Sequence, residues 1–185
     1  MNVSRAAPSS ASQRSYNGHY MTAGKKAEEI VLRWLIERPN VVDLDDLRSL
    51  RPLQKVDVDS AIYTTDGHVA FLEIKSDWHL GVSGNVLVEL ARINHTAVPN
   101  KSLVLGWSVR SPAEWLAMYA PQRNEIWITR FASYRRAFQT YTWNAREATR
   151  LRWVNTDDIK STLNAILPES AFSSCFHKFA LEEGF

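Results

Sequence analysis

Two strand-like runs on either side of a turn sequence constrain this chain more than any other feature. Residues 55–64 and 68–75 both have the composition of β-strands, and Thr65-Asp66-Gly67 between them has the composition of a tight turn. The pattern predicts a β-hairpin. We predict further short strands, separated by Gly, Pro, Ser or Asn, at 85–90, 102–107, 115–119 and 125–129.

Three segments have the periodicity of helices. Apolar residues recur at helical steps from Ala27 to Leu35, from Phe131 to Tyr141 and from Ile159 to Leu167. Thr22 can cap the first helix, and Thr156 with the two aspartates that follow can start the third. The aromatic stripe of the second helix is expected to face the core.

Length and composition favour one domain. With 185 residues and 45% hydrophobic content, the chain can bury one substantial core but is short for two. Residues 1–20 are rich in Ser and Ala without periodicity, so we predict a disordered N-terminal arm and a single domain over residues 21–185. Residues 41–53 suit either a strand followed by a loop or a helical turn. The order of elements predicts an α/β fold with a central mixed β-sheet flanked by helices.

The sequence also favours a soluble, cytoplasmic protein. The single cysteine, Cys175, cannot form an internal disulfide, which fits a reducing compartment. No apolar run approaches the roughly 20 residues that span a bilayer, and the N-terminus lacks the apolar block of a secretory signal. We therefore expect no membrane partner.

Charged residues interrupt the apolar pattern of the predicted hairpin. Residues two apart on a strand share a face, so Glu73 and Lys75 project together while the apolar residues next to them enter the core. The hairpin can bring Asp59 opposite both of them. Asp57 shares the predicted face of Asp59, which leaves the choice between these two aspartates open.

Such a group of charges on an apolar sheet is costly unless an ion offsets the loss of water. Carboxylate oxygens suit Mg²⁺ or Mn²⁺ rather than zinc, for which no matching His and Cys set is present. A metal ion and Lys75 together point to phosphodiester hydrolysis. Glu28 falls on the apolar stripe of the first helix and is a further candidate, with Glu29 as the second choice.

Three motifs occur in a characteristic order. Gly-Lys-Lys-Ala-Glu (24–28) opens a helix, Asp59 begins Asp-Ser-Ala-Ile-Tyr, and Glu-Ile-Lys (73–75) ends an apolar run. Together they resemble the PD-(D/E)XK, or restriction-endonuclease-like, nuclease superfamily, notably Holliday-junction resolvases of the archaeal type and small phage-encoded nucleases. Unlike the motif that names the superfamily, the chain has Val58 rather than proline before the aspartate.

The resemblance implies a restriction-endonuclease-like core and a set of site residues. Asp59 and Glu73 would hold Mg²⁺, with Ile74 as a further ligand and Mn²⁺ as a substitute ion. Lys75 would aid the attacking water, and Glu28 would complete the site.

Basic residues provide the only electrostatic indication of a nucleic acid. Residues 123–152 contain seven arginines and two acids, although the whole chain has a formal charge of only +2. A solvated arginine face is the alternative. The candidates for phosphate contacts are Lys25, Lys26, Arg51, Lys55, Arg135 and Arg136.

The function implied by these observations is a metal-dependent endonuclease that acts on double-stranded or branched DNA, in a phage or prophage setting. A homodimer is one expectation, because two cuts need two sites. The alternatives are a catalytically inactive module on the same scaffold, which binds nucleic acid or a host protein, and a purely structural protein. Asp77, His79 and Glu89 could belong to the site or only to turns and salt bridges.

Overall fold

The computed structural model describes the backbone of residues 10–78, 80–95, 102–144, 150–155 and 160–182. Side chains are described from residue 23 onward within these ranges, except at residues 102, 150 and 155. The helices are α1 (Ser10–Ile36), α2 (Arg51–Gln54), α3 (Leu80–Ser83), α4 (Trp107–Arg110) and α5 (Phe131–Asn144). The strands are β1 (Val41–Asp46), β2 (Ser60–Thr64), β3 (Val69–Ser76), β4 (Asn85–Asn94), β5 (Ser102–Leu105), β6 (Trp115–Ala120), β7 (Glu125–Arg130), β8 (Arg150–Asn155), β9 (Lys160–Pro168) and β10 (His177–Ala180).

A mixed sheet forms the centre of the fold. Six strands lie in the order β1-β2-β3-β6-β7-β10, and only β3 and β6 pair in parallel, while their neighbours pair antiparallel. Helix α1 packs on one face of this sheet, and α5 packs against the core on the other face. The predicted α/β architecture, a mixed central sheet flanked by helices, is confirmed.

Helix α1 covers the sheet with the residues that its periodicity predicted. Ala27, Val31, Trp34 and Leu35 are buried and share a core cluster with residues of β3 and β6. The helix begins at Ser10 rather than near Thr22. No proline lies between residues 8 and 39, so the chain contains no residue that must stop the helix before Thr22. Residues 1–9 lie outside the described part of the chain.

The predicted hairpin is present, but its first strand is shorter than expected. Strand β2 pairs antiparallel with β3 in the register Ser60–Leu72 to Tyr63–Val69, and Gly67 in the turn has a φ of 81°. Residues 51–54, with Pro52 in the first turn, form the short helix α2. The ambiguous segment 41–53 therefore begins with the strand β1, which pairs with β2, and ends in a helical turn.

A second sheet was not expected from the sequence. It has the order β5-β4-β9-β8, and all of its pairs are antiparallel. Residues 160–168, predicted as a helix, form β9 in the middle of this sheet, so that prediction was wrong. The spacing of Leu163, Ile166 and Leu167 fits a helix locally, but pairing with β4 on one side and β8 on the other satisfies the backbone of an extended strand. Residues 156–159, the predicted start of that helix, lie outside the described residues.

An aromatic cluster joins the two sheets. Trp127 of the first sheet, Tyr134 of α5 and Phe172 are fully buried in one core with Val86 and Leu167 of the second sheet. The prediction that α5 directs aromatic residues into the core is therefore confirmed. In the described part of the chain, no helix combines the length and the apolar character needed to cross a membrane.

Candidate active site

The hairpin and the neighbouring parallel strand position the predicted charged residues. Asp59 directly precedes β2, and its backbone N–H donates to the carbonyl oxygen of Leu72 at 2.9 Å. The register of the hairpin, continued by one residue, sets Asp59 beside Glu73. Glu73 and Lys75 alternate with Leu72, whose side chain packs toward α1. The charged pair therefore lies on the face of the sheet away from α1.

The Asp59 carboxylate is buried and held by two donors. Its side chain accepts the backbone N–H of Ile74 at 2.8 Å and the side-chain amide of Gln54 at 3.0 Å. Only 6% of Asp59 is exposed. The carboxylate is therefore fixed against β3 rather than free to rotate. Gln54 of α2 is a residue of this site that sequence reasoning missed, because the sequence left open whether residues 41–53 contain a helical turn and Gln54 lies just after that segment.

Glu73 is the most deeply buried charged group of the site. Its exposed fraction is 0%, and among the described residues neither carboxylate oxygen accepts a hydrogen bond of normal geometry. The Lys75 ammonium forms an ion pair with one of the oxygens. Burial raises the pKa of Glu73 to about 8; the charge of Lys75 opposes this shift, and the charge of Asp59 adds to it.

Lys75 stands between this buried carboxylate and solvent. Its side chain is 30% exposed, and its Nζ lies 5.5 Å from the centre of the Trp107 ring. Burial alone would lower the pKa of Lys75, but the charges of Glu73 and Asp59 outweigh it and raise the pKa above its ordinary value. The side chain is therefore a cation over the whole physiological pH range.

Helix α1 brings Glu28 within electrostatic range of the same group. The Glu28 side chain is 28% exposed and accepts a bond from Arg48 at 3.1 Å. Burial raises its pKa, and the nearby charge of Asp59 raises it further. Arg48, which sequence reasoning did not single out, also pairs with Asp46 and so ties α1 to the end of β1. Glu29, the second choice, is exposed.

Asp57 does not share a strand face with Asp59, so that interpretation was wrong. Its φ is 57°, in the left-handed region, and it lies before β2 begins. Its side chain accepts Arg110 Nε at 2.7 Å, and its carbonyl accepts the hydroxyl of Ser111 at 2.7 Å. The positive φ turns the chain between the two aspartates, which breaks the alternation that an extended strand would have.

The other acidic candidates have defined partners. The Asp77 carboxylate accepts the backbone N–H of Leu80 at 3.0 Å and of Leu87 at 3.1 Å, and so fixes the chain between β3 and β4. Glu89 forms an ion pair with Arg92 at 3.0 Å. His79 lies outside the described residues.

The predicted basic residues differ in their surroundings. Lys25, Lys26, Arg51, Lys55 and Arg136 are exposed. Arg135 is half-buried and donates to the carbonyl oxygens of Ser108 and Ser111 at 2.9 and 2.6 Å, so its guanidinium holds α4 in place. Its prediction as a phosphate contact did not anticipate this structural role. Arg146 and the side chain of Arg150 lie outside the described part.

A cavity of about 260 Å³ opens beside Lys75. Trp78, Trp107, Glu89 and Asn164 are among its lining residues. Sequence reasoning missed this cavity because Asn164 belongs to β9, which was predicted as a helix. Trp78, three residues after Lys75, was the one signal that the sequence offered.

The carboxylates of this site are the ligand type that a hard cation requires. Within the described ranges, no group of three or more His, Cys, Asp or Glu side chains has the arrangement of a metal site. Asp59 and Glu73 nevertheless lie on neighbouring positions of the hairpin and interact electrostatically, and among the described residues only Lys75 pairs with a Glu73 oxygen. Magnesium commonly takes only one or two protein carboxylates and completes its shell with water and substrate phosphate, so these residues fit such an ion.

No protein-family model, curated protein or solved structure matches the chain. The resemblance to PD-(D/E)XK nucleases therefore depends on the residues of the chain themselves.

Proposed function

We propose that this chain is a divalent-metal-dependent nuclease with a restriction-endonuclease-like core, which hydrolyses phosphodiester bonds in DNA. The observation that supports this proposal most directly is the buried Glu73 carboxylate, ion-paired with Lys75 beside Asp59. The three residues are those of the motif Asp, Glu-x-Lys. The order of α1, the β2–β3 hairpin and the parallel strand β6 supports the proposed core.

The energetics of Glu73 favour a role in binding a cation. A buried carboxylate to which no described residue except Lys75 donates is destabilising unless charge compensates it. Lys75 does so only in part, since burial keeps the pKa of Glu73 at about 8. A second positive charge next to Asp59 and Glu73 would complete the compensation. A hydrophobic residue at position 73 would pack beside Leu116 of β6 without this cost, so a function explains the carboxylate better than stability does.

The residues of the site have separate chemical tasks in this proposal. When bound, Mg²⁺ or Mn²⁺ would polarise the scissile phosphate and lower the pKa of water. Lys75, the partly exposed cation of the group, would neutralise the charge that develops on the phosphate and orient the attacking water. Asp59 is held rigidly by Ile74 and Gln54, which keeps its position without a rearrangement during the reaction.

Exposed basic residues on the elements that carry Glu28 and Gln54 support a polyanionic substrate. Lys25 and Lys26 lie on α1 next to Glu28, and Arg51 and Lys55 lie on and just after α2, which carries Gln54. Phosphate contacts of this kind position a nucleic acid without reading its sequence. We therefore propose DNA as the substrate and these residues as contacts to its backbone.

The test is cleavage of plasmid and labelled oligonucleotide DNA in Mg²⁺, Mn²⁺ or EDTA. We expect cutting by the unmodified protein only with metal, and a loss of roughly a hundredfold or more in Glu73→Gln, Asp59→Asn and Lys75→Met. Each substitution nearly preserves side-chain size and removes one ionisable group, so circular dichroism and the thermal midpoint should show a folded protein.

Two variants serve as matched controls. Glu29→Gln changes an exposed acid on α1, and Lys160→Met changes an exposed lysine at the start of β9, so both should cut at the normal rate. Cutting that persists in Glu73→Gln, or in EDTA, would contradict the proposal. DNA binding without cleavage in every metal would instead support the non-catalytic module.

A further inference from the structure

The cavity beside Lys75 has the volume of a site for one small group. Its volume is about 260 Å³, just below the usual range for sites that enclose drug-sized molecules. It is bounded by β3 through Lys75, by β4 through Glu89 and by β9 through Asn164. The cavity thus lies between the two sheets and adjoins the proposed reaction centre.

Two tryptophans give the cavity aromatic walls. Trp107 is 7% exposed and stacks on the buried Tyr134 with ring centres 5.9 Å apart, so its position is fixed. Trp78 is 36% exposed, which leaves its indole accessible to a ligand. An exposed aromatic ring beside a narrow cavity is suited to stacking on another planar ring.

Polar groups in the cavity exclude a purely apolar ligand and disfavour an anion. Ser76, at the end of β3, is one of the polar residues of the lining. The Asn164 amide is fixed by its bond to the Thr162 hydroxyl at 2.9 Å. Asp77 and Glu89 also line the cavity, so two acidic residues stand against the single cation Lys75, and a phosphate group inside the cavity is disfavoured. A neutral planar ligand with hydrogen-bonding edges fits this lining.

We infer that the cavity receives an unpaired nucleobase of the DNA strand whose phosphate lies at Lys75. This inference rests on the proposed nuclease function and specifies its substrate class. A base that is still paired and stacked in a duplex cannot enter a cavity of this size with its partner, so it must be extruded or already unpaired. Because extrusion from a duplex costs unpairing and unstacking energy, the preferred substrate is single-stranded DNA or DNA with an unpaired stretch, such as a frayed end, a flap or a branch.

The entry of a nucleobase into the cavity can be measured without cleavage of the DNA. The probe is a single-stranded oligonucleotide with one 2-aminopurine, in EDTA, whose fluorescence is quenched on stacking. We expect quenching with the unmodified protein, about tenfold weaker binding in Trp78→Ala, and near-normal binding in Trp78→Phe, because phenylalanine keeps an aromatic face. Trp153→Ala, which removes an exposed tryptophan on β8, is the matched control and should bind normally.

Cleavage in Mg²⁺ tests the substrate class. The unmodified protein should cut single-stranded and splayed DNA faster than a fully paired duplex with hairpin-closed ends. In a further series, one abasic residue is placed at successive positions along the strand. It should reduce cutting only when it stands at one fixed distance from the scissile bond. Trp78→Ala should lose much of the preference for unpaired over fully paired DNA, and Trp78→Phe should restore this preference.

The outcomes separate this inference from the proposed function. If no DNA is cut but quenching depends on Trp78, the base site stands and the nuclease proposal fails. If DNA is cut with equal efficiency whether paired or unpaired, and Trp78→Ala changes neither cutting nor quenching, the inference is overturned and the nuclease proposal stands.

Discussion

Glu73 couples the folding of this protein to pH. Its pKa is 4.5 in an exposed setting and about 8 in the folded chain, because burial disfavours the charged form. Between these two pH values the folded state keeps a proton that the unfolded state has released. The stability that the neutral side chain contributes is therefore fully present below pH 4.5 and is lost as the pH rises through about 8. The raised pKa of Lys75 lies above this window and does not alter its sign.

We predict that Glu73→Gln removes this part of the pH dependence. Glutamine has nearly the same shape and cannot ionise, so the variant should gain stability relative to the unmodified protein as the pH rises from 4.5 to 8. At the upper end the difference should be on the order of a few kcal/mol. Urea denaturation in EDTA at several pH values measures it.

The control for this measurement is Glu29→Gln on the exposed side of α1. This variant should follow the unmodified protein at every pH. A difference between Glu73→Gln and the unmodified protein that stays constant from pH 4.5 to 8 would show that position 73 does not titrate in this window.

At the residue scale, the alternation of side chains along the predicted strands was sufficient to predict that Asp59, Glu73 and Lys75 lie together. Glu73 and Lys75 lie in one regular strand, and Asp59 follows from the hairpin register. Asp57 could not be predicted, because its left-handed conformation accompanies an ion pair with Arg110, which is distant in sequence. The partner of Arg135 was unpredictable for the same reason, since its acceptors are carbonyl oxygens of α4 and of the residue after it.

At the scale of elements, Gly106 sets the distance between α4 and β4. A Cβ at this position would lie 2.2 Å from the carbonyl oxygen of Glu89. The Gly106 N–H donates to the carbonyl of Leu90 at 2.8 Å, so the two segments are in direct backbone contact. Because α4 begins with Trp107, this contact also positions one wall of the cavity.

We predict that Gly106→Ala destabilises the protein by about 1–3 kcal/mol or more, because backbone must move to admit the methyl group. Gly24→Ala is the matched control: it lies inside α1 with open space around the added carbon, and it should stabilise by roughly 0.5–1 kcal/mol. Thermal or urea denaturation of both variants measures the difference. Equal effects of the two substitutions would show that α4 and β4 are not in close contact.

The elements that sequence reasoning predicted well have local signals. The hairpin turn and the stripes of α1 and α5 follow from nearby residues. Strand β9 could not be recognised, since the apolar spacing of residues 163–167 suits two conformations and the choice depends on pairing with β4 and β8. The burial of Asn164 likewise depends on that pairing.

At the scale of the whole molecule, one aromatic cluster connects the two sheets. The rings of Tyr134 and Phe172 stack with centres 5.1 Å apart, and both side chains are 0% exposed. The Tyr134 hydroxyl is buried without a hydrogen-bond partner in the described part of the chain. Burying this hydroxyl therefore costs free energy, while its ring contributes packing.

We predict that Phe172→Ala lowers the free energy of unfolding by about 3–5 kcal/mol, because it leaves a cavity between the sheets. Tyr134→Phe, which keeps the ring and removes only the unpaired hydroxyl, should be neutral or stabilising. Near-ultraviolet and far-ultraviolet circular dichroism should give coincident transitions for the unmodified protein if the sheets unfold together. Two separate transitions would show that the cluster does not unite them.

The topology that builds the cavity has a consequence for protein synthesis. Strand β4 is made early, but its partner β9 begins only at Lys160, and between them the ribosome must translate β5, β6, β7, α5 and β8. During that interval a nascent chain already contains Asp59, Glu73 and Lys75, yet it has no wall at Asn164. A growing polypeptide of this kind has the charged centre without the complete cavity, so the base site that we propose would form late in translation.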